Sequence, residues 1–470
     1  MDIEMEENAL IENVTYDELS IGQSARLLRT LTLEDIQAFA AVSGDTNPAH
    51  LDPEYANDTM FHGVIAHGMW GGALISALLG TKFPGPGTIY LQQDLHFSKP
   101  VRIGDTLAVV ATVQSKDDEK KRVELDCVVQ NQNGEKVLHG TARIIAPTQK
   151  IARPRLSVPH IQIFDPEARF HELLGKARNL DPVFCAVVHP CDVESLMGAV
   201  DSAVAGLIKP ILIGPAKKIL SIAAAASINI SPYELIDVPH SHAAADKAAD
   251  MAVDRKVEMM MKGSLHTDEL LHAILARPQL RTGRRMSHVF RFDIPMYSKP
   301  LLVTDAALNI HPTLMEKVDI IQNAIDFSVI MGIPNPKVAI LSAVEMVNPD
   351  IPSTIEAAAL CKMAQRGQIK GGILDGPLAF DNAISLHAAQ IKGIDSVVAG
   401  DADILNVPDL ESGNMLAKQL EYFAGASGAG LVLGSKIPVA LTSRADSART
   451  RVASAVLGLL VAHAHRQNSQ

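Results

Sequence analysis

The pattern of this chain changes between residues 147 and 165, and that change constrains its fold more than any single motif. Upstream, strand-like alternation surrounds one strongly apolar helix. Downstream, short β-branched apolar runs alternate with alanine-rich helical stretches. The connecting stretch PTQKIARPRLSVPHIQIFD carries three prolines and no sustained period, as a linker does. A chain of 470 residues exceeds what one hydrophobic core usually serves, so two domains meeting here are expected: 1–146, a linker over 147–165, and 166–470.

In the first part, TLEDIQAFAAV (32–42) has helical periodicity. Thr32 stands as N-cap with Asp35 three residues on, and Gly44 is placed to end the helix. GMWGGALISALL (68–79) is apolar nearly all round, which predicts a helix buried on most sides. Four half-buried strands are then expected: TIYLQQDLHF (88–97), TLAVVATVQS (106–115), RVELDCVVQN (122–131) and KVLHGTARII (136–145). A buried helix followed by an antiparallel meander suits a sheet wrapped around that helix.

In the second part the runs VFCAVVH, PILIG, KVAILSA, GGILDG, SVVAG, GLVLG and IPVALTS read as strands between helices. Such alternation predicts a parallel α/β sheet covered on both faces. SHVFRFDIPMYSKPLLVTDA (287–306) breaks the rhythm with two adjacent strand-like runs. GASGAG (425–430) precedes a strand instead of following one, so it is read as a flexible loop and not as a nicotinamide-binding turn. No G-x-x-x-x-G-K-[ST] phosphate loop occurs either.

The bulk numbers exclude several classes. A net charge of −11 and 4% aromatic residues argue against nucleic acid and anionic lipid as partners. The four cysteines form no C-x-x-C pair, and the acidic opening MDIEMEENAL is no secretory leader. The longest apolar runs are too short to span a bilayer. A reduced, cytoplasmic, soluble protein acting on small molecules is expected.

Two constellations carry chemistry. In FAAVSGDTNPAHLDPEYA (39–56), Gly44 permits a left-handed bend and Asn47-Pro48 forces a turn, so Asp45 and His50 can meet on one short loop. A carboxylate and an imidazole sharing a water supply the base and the acid that hydration of an activated C=C bond requires. Gly68 opens the apolar helix, where free N–H groups favour a developing enolate oxygen. Ser76, within that helix, is a candidate for orienting the substrate or the pair; His62 and His67 are further candidates, with His67, beside Gly68, read as structural and no metal expected.

The run S-G-D-x-N-P-x-H, then H-G-M on an apolar helix and G-x-I-Y-L on a strand, resembles the MaoC-type (R)-specific enoyl-CoA hydratases over residues 15–146. The resemblance implies a hot-dog fold, an α+β domain usually found as a dimer. It also implies Asp45 and His50 as the catalytic pair, with Ser76 at the family's serine position.

In 166–470, polar residues collect at the expected C-terminal ends of strands, where open α/β sheets bind ligands. Asp375 and Asp381 flank a Gly-Pro turn, and Ser412-Gly413-Asn414 precede a helix as an anion cradle. A strand runs into Thr442, Ser443 and Arg444, and LRTGRRMSH adds Arg281, Arg284, Arg285 and His288. Arginine and hydroxyls at such ends suit phosphate, whose oxygens arginine holds in pairs. His240 and His242 lack a third ligand for a metal.

M-K-G-x-L-H-T (261–267), L-R-T-G-R-x-x-S-H-V (280–289), L-D-G-P-L-A-F-D-N-A (374–383), A-D-I-L-x-V-P-x-L-E-S-G-N (402–414) and T-S-R-A-D-S (442–447) resemble the phosphate acetyl/butyryltransferases, and the butyryl branch more closely. The resemblance implies a two-lobed α/β fold like that of the isocitrate dehydrogenases. It also implies acyl exchange between CoA sulfur and phosphate without metal or covalent intermediate, with Ser443 and Arg444 as the family's Ser-Arg pair. The acetyl branch carries a base seven residues past that serine, and here that position is Thr450; Asp446, ahead of Asp375 and Asp381, is the substitute.

The expectation is a bifunctional homo-oligomeric enzyme without cofactor, handling enoyl-CoA, acyl-CoA and phosphate. Two alternatives remain: a second domain that only senses acyl-CoA or drives oligomerisation, and a hot-dog domain that is a thioesterase or dehydratase.

Overall fold

The computed structural model describes residues 10–154, 164–442 and 446–468. By compactness the chain divides at 164/165 into two units.

The first unit holds strands β1 (Leu10–Glu12), β2 (Ser24–Thr30), β3 (Ile89–Gln93), β4 (His96–Phe97), β5 (Thr106–Asp117), β6 (Arg122–Gln130), β7 (Lys136–Ile145) and β8 (Ala152–Pro154). Its helices are α1 (Leu33–Ser43), α2 (Pro48–Leu51), α3 (Pro53–Asp58) and α4 (Gly68–Thr81). The main sheet is antiparallel in the order β2-β5-β6-β7-β3, with β4 also on β7. It curls around α4, whose Trp70, Ile75, Leu78 and Leu79 pack into one core with Leu107, Val109, Leu125 and Ile144. That is the hot-dog arrangement.

The local signals of α1 are met in full. Thr32 and Asp35 cap each other reciprocally, and Gly44 ends the helix at φ 76° with its N–H on Ala40 O. Three expectations change. The strand expected over 88–97 is interrupted at Asp94, whose carboxylate accepts the N–H and Oγ1 of Thr141. The linker's opening is not free, because β8 pairs with β1. And α4 is buried on one face only: Met69 is 56% exposed and Ser76 is exposed as well.

The second unit is built on β9 (Val183–Val188), β10 (Ile208–Gly214), β11 (Glu234–Asp237), β12 (Met259–Lys262), β13 (Ser287–Asp293), β14 (Leu301–Thr304), β15 (Lys337–Leu341), β16 (Ile373–Leu378), β17 (Ile404–Asn406), β18 (Ser427–Leu433) and β19 (Val439–Ala440). Its helices are α5 (Pro166–Gly175), α6 (Val193–Val204), α7 (Ala216–Ala225), α8 (Ser241–Val253), α9 (Thr267–Leu275), α10 (Leu314–Ile330), α11 (Pro352–Gln365), α12 (Phe380–Ile384), α13 (Leu386–Ile391), α14 (Leu410–Tyr422) and α15 (Ala448–Asn468). Among the described residues no helix is long and apolar enough to cross a membrane.

These strands form one sheet in the order β11-β10-β9-β12-β19-β18-β13-β14-β17-β15-β16. The sheet is mixed, not parallel as expected. β18 is antiparallel to β19 and β13, and β13 is antiparallel to β14. Three successive reversals make β14, β17, β15 and β16 run opposite to β9, β12 and β19. The irregular segment 287–306 is the cause, since β13 and β14 form a hairpin where the sequence skips a helix.

Two further readings are corrected. SVVAG is no strand, although Val398 and Ala399 are buried. GASGAG is no loop: it opens β18, which lies against the ring ladder His288–Phe290–Phe292 of β13. A Cβ at Gly428 would sit 2.9 Å from the Phe292 ring, and one at Gly430 2.5 Å from Leu441 O and 2.8 Å from His288 Nε2. Here the glycines serve close packing, not mobility.

Candidate functional site

In the first unit, α1 ends at Gly44, and the turn Asp45–Asn47 leads into α2, which carries His50. Asn47 caps α2 and Pro48 opens it, which turns His50 back toward the start of α4. His50 Nδ1 lies 2.8 Å from the Ile65 carbonyl. A carbonyl only accepts, so Nδ1 carries the proton, and in the neutral ring Nε2 keeps its lone pair. His67 Nε2 lies 3.0 Å from the Asp45 backbone carbonyl and is protonated for the same reason. The two imidazoles stack with centroids 3.9 Å apart. One side-chain ligand atom each from Asp45, His50 and His67 lies within 4.8 Å of the others.

A cavity of about 300 Å³ opens beside them, lined by His50, His67, Gly68, Trp70, Phe97 and Leu138 among others. Its wall is mainly apolar, as an acyl chain needs, and the polar groups converge at one end. Gly68 is the first residue of α4, so its N–H has no carbonyl a turn earlier in the helix to bond. A Cβ there would come 3.0 Å from the Phe97 ring, so glycine keeps that approach open. His50 and Gly68 thus share the cavity wall, and the Asp45 carboxylate is grouped with His50 and His67, although Asp45 itself is not part of the lining. Ser76 is in neither group: it sits two turns along α4, exposed and outside the cavity lining. His67 belongs to the cluster although the sequence suggested a structural role. The signal was its place directly before the helix-opening glycine.

In the second unit Ser443 and Arg444 lie outside the described residues. Thr442, which precedes them, is at the C-terminal end of β19, beside the ends of β12 and β9. There Arg451 of α15, 2% exposed, donates from Nη1 to Thr442 Oγ1 at 2.7 Å. Burial pushes its pKa down, against the pull of Asp192, Asp446 and Glu194. Lys262, 5% exposed, ends β12 at the same place. A Cβ at Gly198 of α6 would come 2.6 Å from Arg451 Cδ, so that glycine makes room for the guanidinium stem. Asp446 is half-buried near this end. Arg451 and Lys262 were not singled out from the sequence; a charged residue closing an apolar run, as in MMMK, was the available signal.

The other candidates lie elsewhere. Arg281 bridges to Ser435, at the opposite end of β19 from Thr442. Its guanidinium is spent on the Leu275 carbonyl. Arg284 pairs with Asp326 at 2.5 Å, and Arg285 reaches Asn309 at 2.7 Å and Glu316 at 3.2 Å. Asp375 holds its own next N–H, that of Gly376, at 2.9 Å. Asp381 is ion-paired with Lys392 at 3.1 Å, a contact that holds its carboxyl below the ordinary range.

The cradle expected at Ser412 is filled from within. Asp409 caps α14, accepting the Ser412 N–H at 2.9 Å and its hydroxyl at 2.7 Å. Burial raises the Asp409 pKa, but Ser412, His311 and Lys317 outweigh that and keep it low. A second polar knot, also missed, surrounds buried Asp305. Its carboxylate accepts Ala307 N–H, Leu308 N–H and Asn309 Nδ2, while burial holds its pKa up.

Comparison with known proteins agrees with this division. Residues 242–459 match the family described as Phosphate acetyl/butaryl transferase, and residues 19–133 match the MaoC like domain. A phosphate acetyltransferase of Rhizobium meliloti is 56% identical over 300 residues, 64% of this chain and 95% of that protein. The phosphate butyryltransferase of Clostridium acetobutylicum is 40% identical over 294 residues, 62% of this chain and 98% of that one. The expected leaning toward the butyryl branch is therefore corrected.

Among solved structures, a branched-chain phosphotransacylase of Enterococcus faecalis V583 aligns with TM-score 0.53 at 28% identity, covering 60% of this chain and 99% of that one. An R-hydratase of Pseudomonas aeruginosa, 47% identical, covers 33% of this chain and 100% of its own, with TM-score 0.32. The chain belongs to the phosphate acetyl/butyryltransferase family, with a MaoC-like hot-dog domain ahead of the transferase unit.

Proposed function

We propose that the chain is a bifunctional enzyme: its first unit hydrates trans-2-enoyl-CoA to (R)-3-hydroxyacyl-CoA, and its second exchanges acyl groups between CoA and phosphate. The observation that supports the hydratase half is that His50 and Gly68 share one end of an apolar cavity, with the Asp45 carboxylate grouped with His50 and His67 behind it. A water held between Asp45 and His50 loses one proton to the pair as its oxygen bonds Cβ. The thioester oxygen takes up negative charge against the Gly68 N–H, and the pair returns the proton to Cα. The second O–H stays in the product, so the pair ends as it began.

The transferase half rests on identity across nearly the whole length of the Rhizobium meliloti protein. A phosphate oxygen attacks the thioester carbonyl, the thiolate leaves, and acyl phosphate and CoA result. Ser443 and Arg444 are proposed to hold the phosphate, with Asp446 helping the thiol proton. Both halves use CoA thioesters as substrates and call for no further cofactor. Thr450 at the family's base position, bonded to Ser447, favours the second reading, in which this unit senses acyl-CoA without turnover. The test is one screen on the intact chain: loss of enoyl absorbance from crotonyl-CoA, and acyl phosphate formation from acetyl-CoA and butyryl-CoA with phosphate. No hydration refutes the first half. No acyl phosphate refutes the second and leaves the sensing role.

A further inference from the structure

We infer that His67 is a positioning residue that holds Asp45 in place for the addition of water; the inference rests on the hydratase reading of this site. His67 is the N-cap residue of α4, yet its side chain makes no capping bond to that helix. Its ring instead donates from Nε2 to the backbone carbonyl of Asp45, 22 residues earlier and 3.0 Å away. The ring is 2% exposed, clamped between His50 at 3.9 Å and Phe39 at 5.1 Å.

The loop it reaches has little else to fix it. Residues 41–48 are all exposed. Their other hydrogen bonds among the described residues are local, within four residues, among them Asp45 N–H to Ser43 Oγ, Thr46 N–H to Gly44 O, and Asn47 N–H to Asp45 Oδ1. Among the described residues, the His67 bond is what ties this turn to the rest of the fold.

His50 is fixed by the same short segment, since its Nδ1–H donates to Ile65 O. Residues 65–68 therefore act as one jig. The Ile65 carbonyl sets the tautomer of His50, the His67 ring sets the backbone of Asp45, and the Gly68 N–H waits for the enolate oxygen. A general base works only within hydrogen-bond reach of its proton, and a displacement of about 1 Å can cost on the order of a hundredfold in rate. A group that fixes the base this way acts on the chemical step more than on substrate binding.

The experiment compares His67→Phe with His67→Gln in crotonyl-CoA hydration. Phenylalanine keeps the ring against His50 and Phe39 but donates nothing. Glutamine can set an amide N–H near the position of Nε2. His67→Phe is expected to lower kcat about 10- to 100-fold with KM within about twofold, and His67→Gln to restore most of that loss. In an Asp45→Asn background the same change should cost little more, because both act through one group.

Parental kcat in His67→Phe overturns the inference, and so does an equal loss in Phe and Gln variants of parental thermal stability. If His67→Phe does not fold, His67→Asn, whose amide is too short to reach the carbonyl, replaces it under the same criteria. If the parent itself does not hydrate, the hydratase reading has failed. Crystal structures of parent and variant then judge the positioning claim: a displaced Asp45 supports it, and an unmoved one overturns it.

Discussion

His288 gives the second unit a dependence on pH that can be worked out beforehand. It is fully buried on β13, with its ring 4.3 Å from Phe290, and among the described residues no well-formed hydrogen bond reaches either ring nitrogen, the Leu441 backbone being only a weak neighbour. Burial pushes its pKa down from 6.5 to about 3, with only the Leu441 backbone pulling the other way. In the unfolded chain the ring takes a proton below about pH 6.5, whereas in the fold it stays neutral until about pH 3. Its contribution is therefore intact above 6.5 and is lost as pH falls toward 3. Between pH 7.5 and pH 5.5 the difference is about 1.4 kcal/mol, from RT ln(1 + 10) at one unit below the unfolded pKa.

His288→Met keeps a similar volume and removes the titration. Urea unfolding at the two pH values reads the effect through far-UV ellipticity. The fluorescence of Trp70, the single tryptophan, follows the first unit as an internal control. Ordinary carboxylates stay ionised over this range in both states, and the comparison with the parent cancels other histidines, such as half-buried His465. The parent should lose about 1.4 kcal/mol more than the variant on going to pH 5.5. An equal loss in both would refute a neutral, desolvated His288.

Asp45→Asn should lower crotonyl-CoA hydration by about 10²–10⁴-fold while acyl phosphate formation stays at the parental rate, since the amide cannot take a proton; a residual above a hundredth of the parental rate removes Asp45 as base. Gly198→Ala should destabilise the second unit by about 1–3 kcal/mol in calorimetry and depress acyl transfer, because its Cβ would lie 2.6 Å from Arg451 Cδ; unchanged unfolding would show that α15 shifts freely. Arg444→Ala should raise the phosphate requirement about ten- to a hundredfold and leave that for CoA nearly untouched, the worth of one charge-assisted bond. Equal losses on both axes would take the phosphate role away from Arg444.

Much of the first site was legible in the chain. A helix with its own cap pair, a glycine that must turn left-handed and an Asn-Pro turn are local devices, and they carry Asp45 and His50 to one place whatever else the domain does. The division of the chain and the position of most strands followed from the period of the apolar residues in the same way. Strand direction did not, because a run such as GLVLG states that it is buried but not which neighbour it bonds or which way that neighbour runs. The β13–β14 hairpin reversed half of the sheet. Polar residues read as sharing the C-terminal ends of strands are divided by that reversal: Thr442 follows β19, whereas Asp381 and Ser412 follow β16 and β17, which run the other way. Arg281, Arg284 and Arg285 precede β13 and so lie at a strand's N-terminal end, opposite Thr442.

Polar partnerships were hidden for a related reason. Ser412 reads as an open cradle in the sequence but is bonded to Asp409, and the carbonyl that the His67 ring bonds lies 22 residues away. Capping, turning and periodicity are set by neighbours within a few positions, so sequence determines them. The partner of a buried ring, guanidinium or carboxylate is set by what the folded chain brings across from elsewhere, and only the tertiary structure decides that.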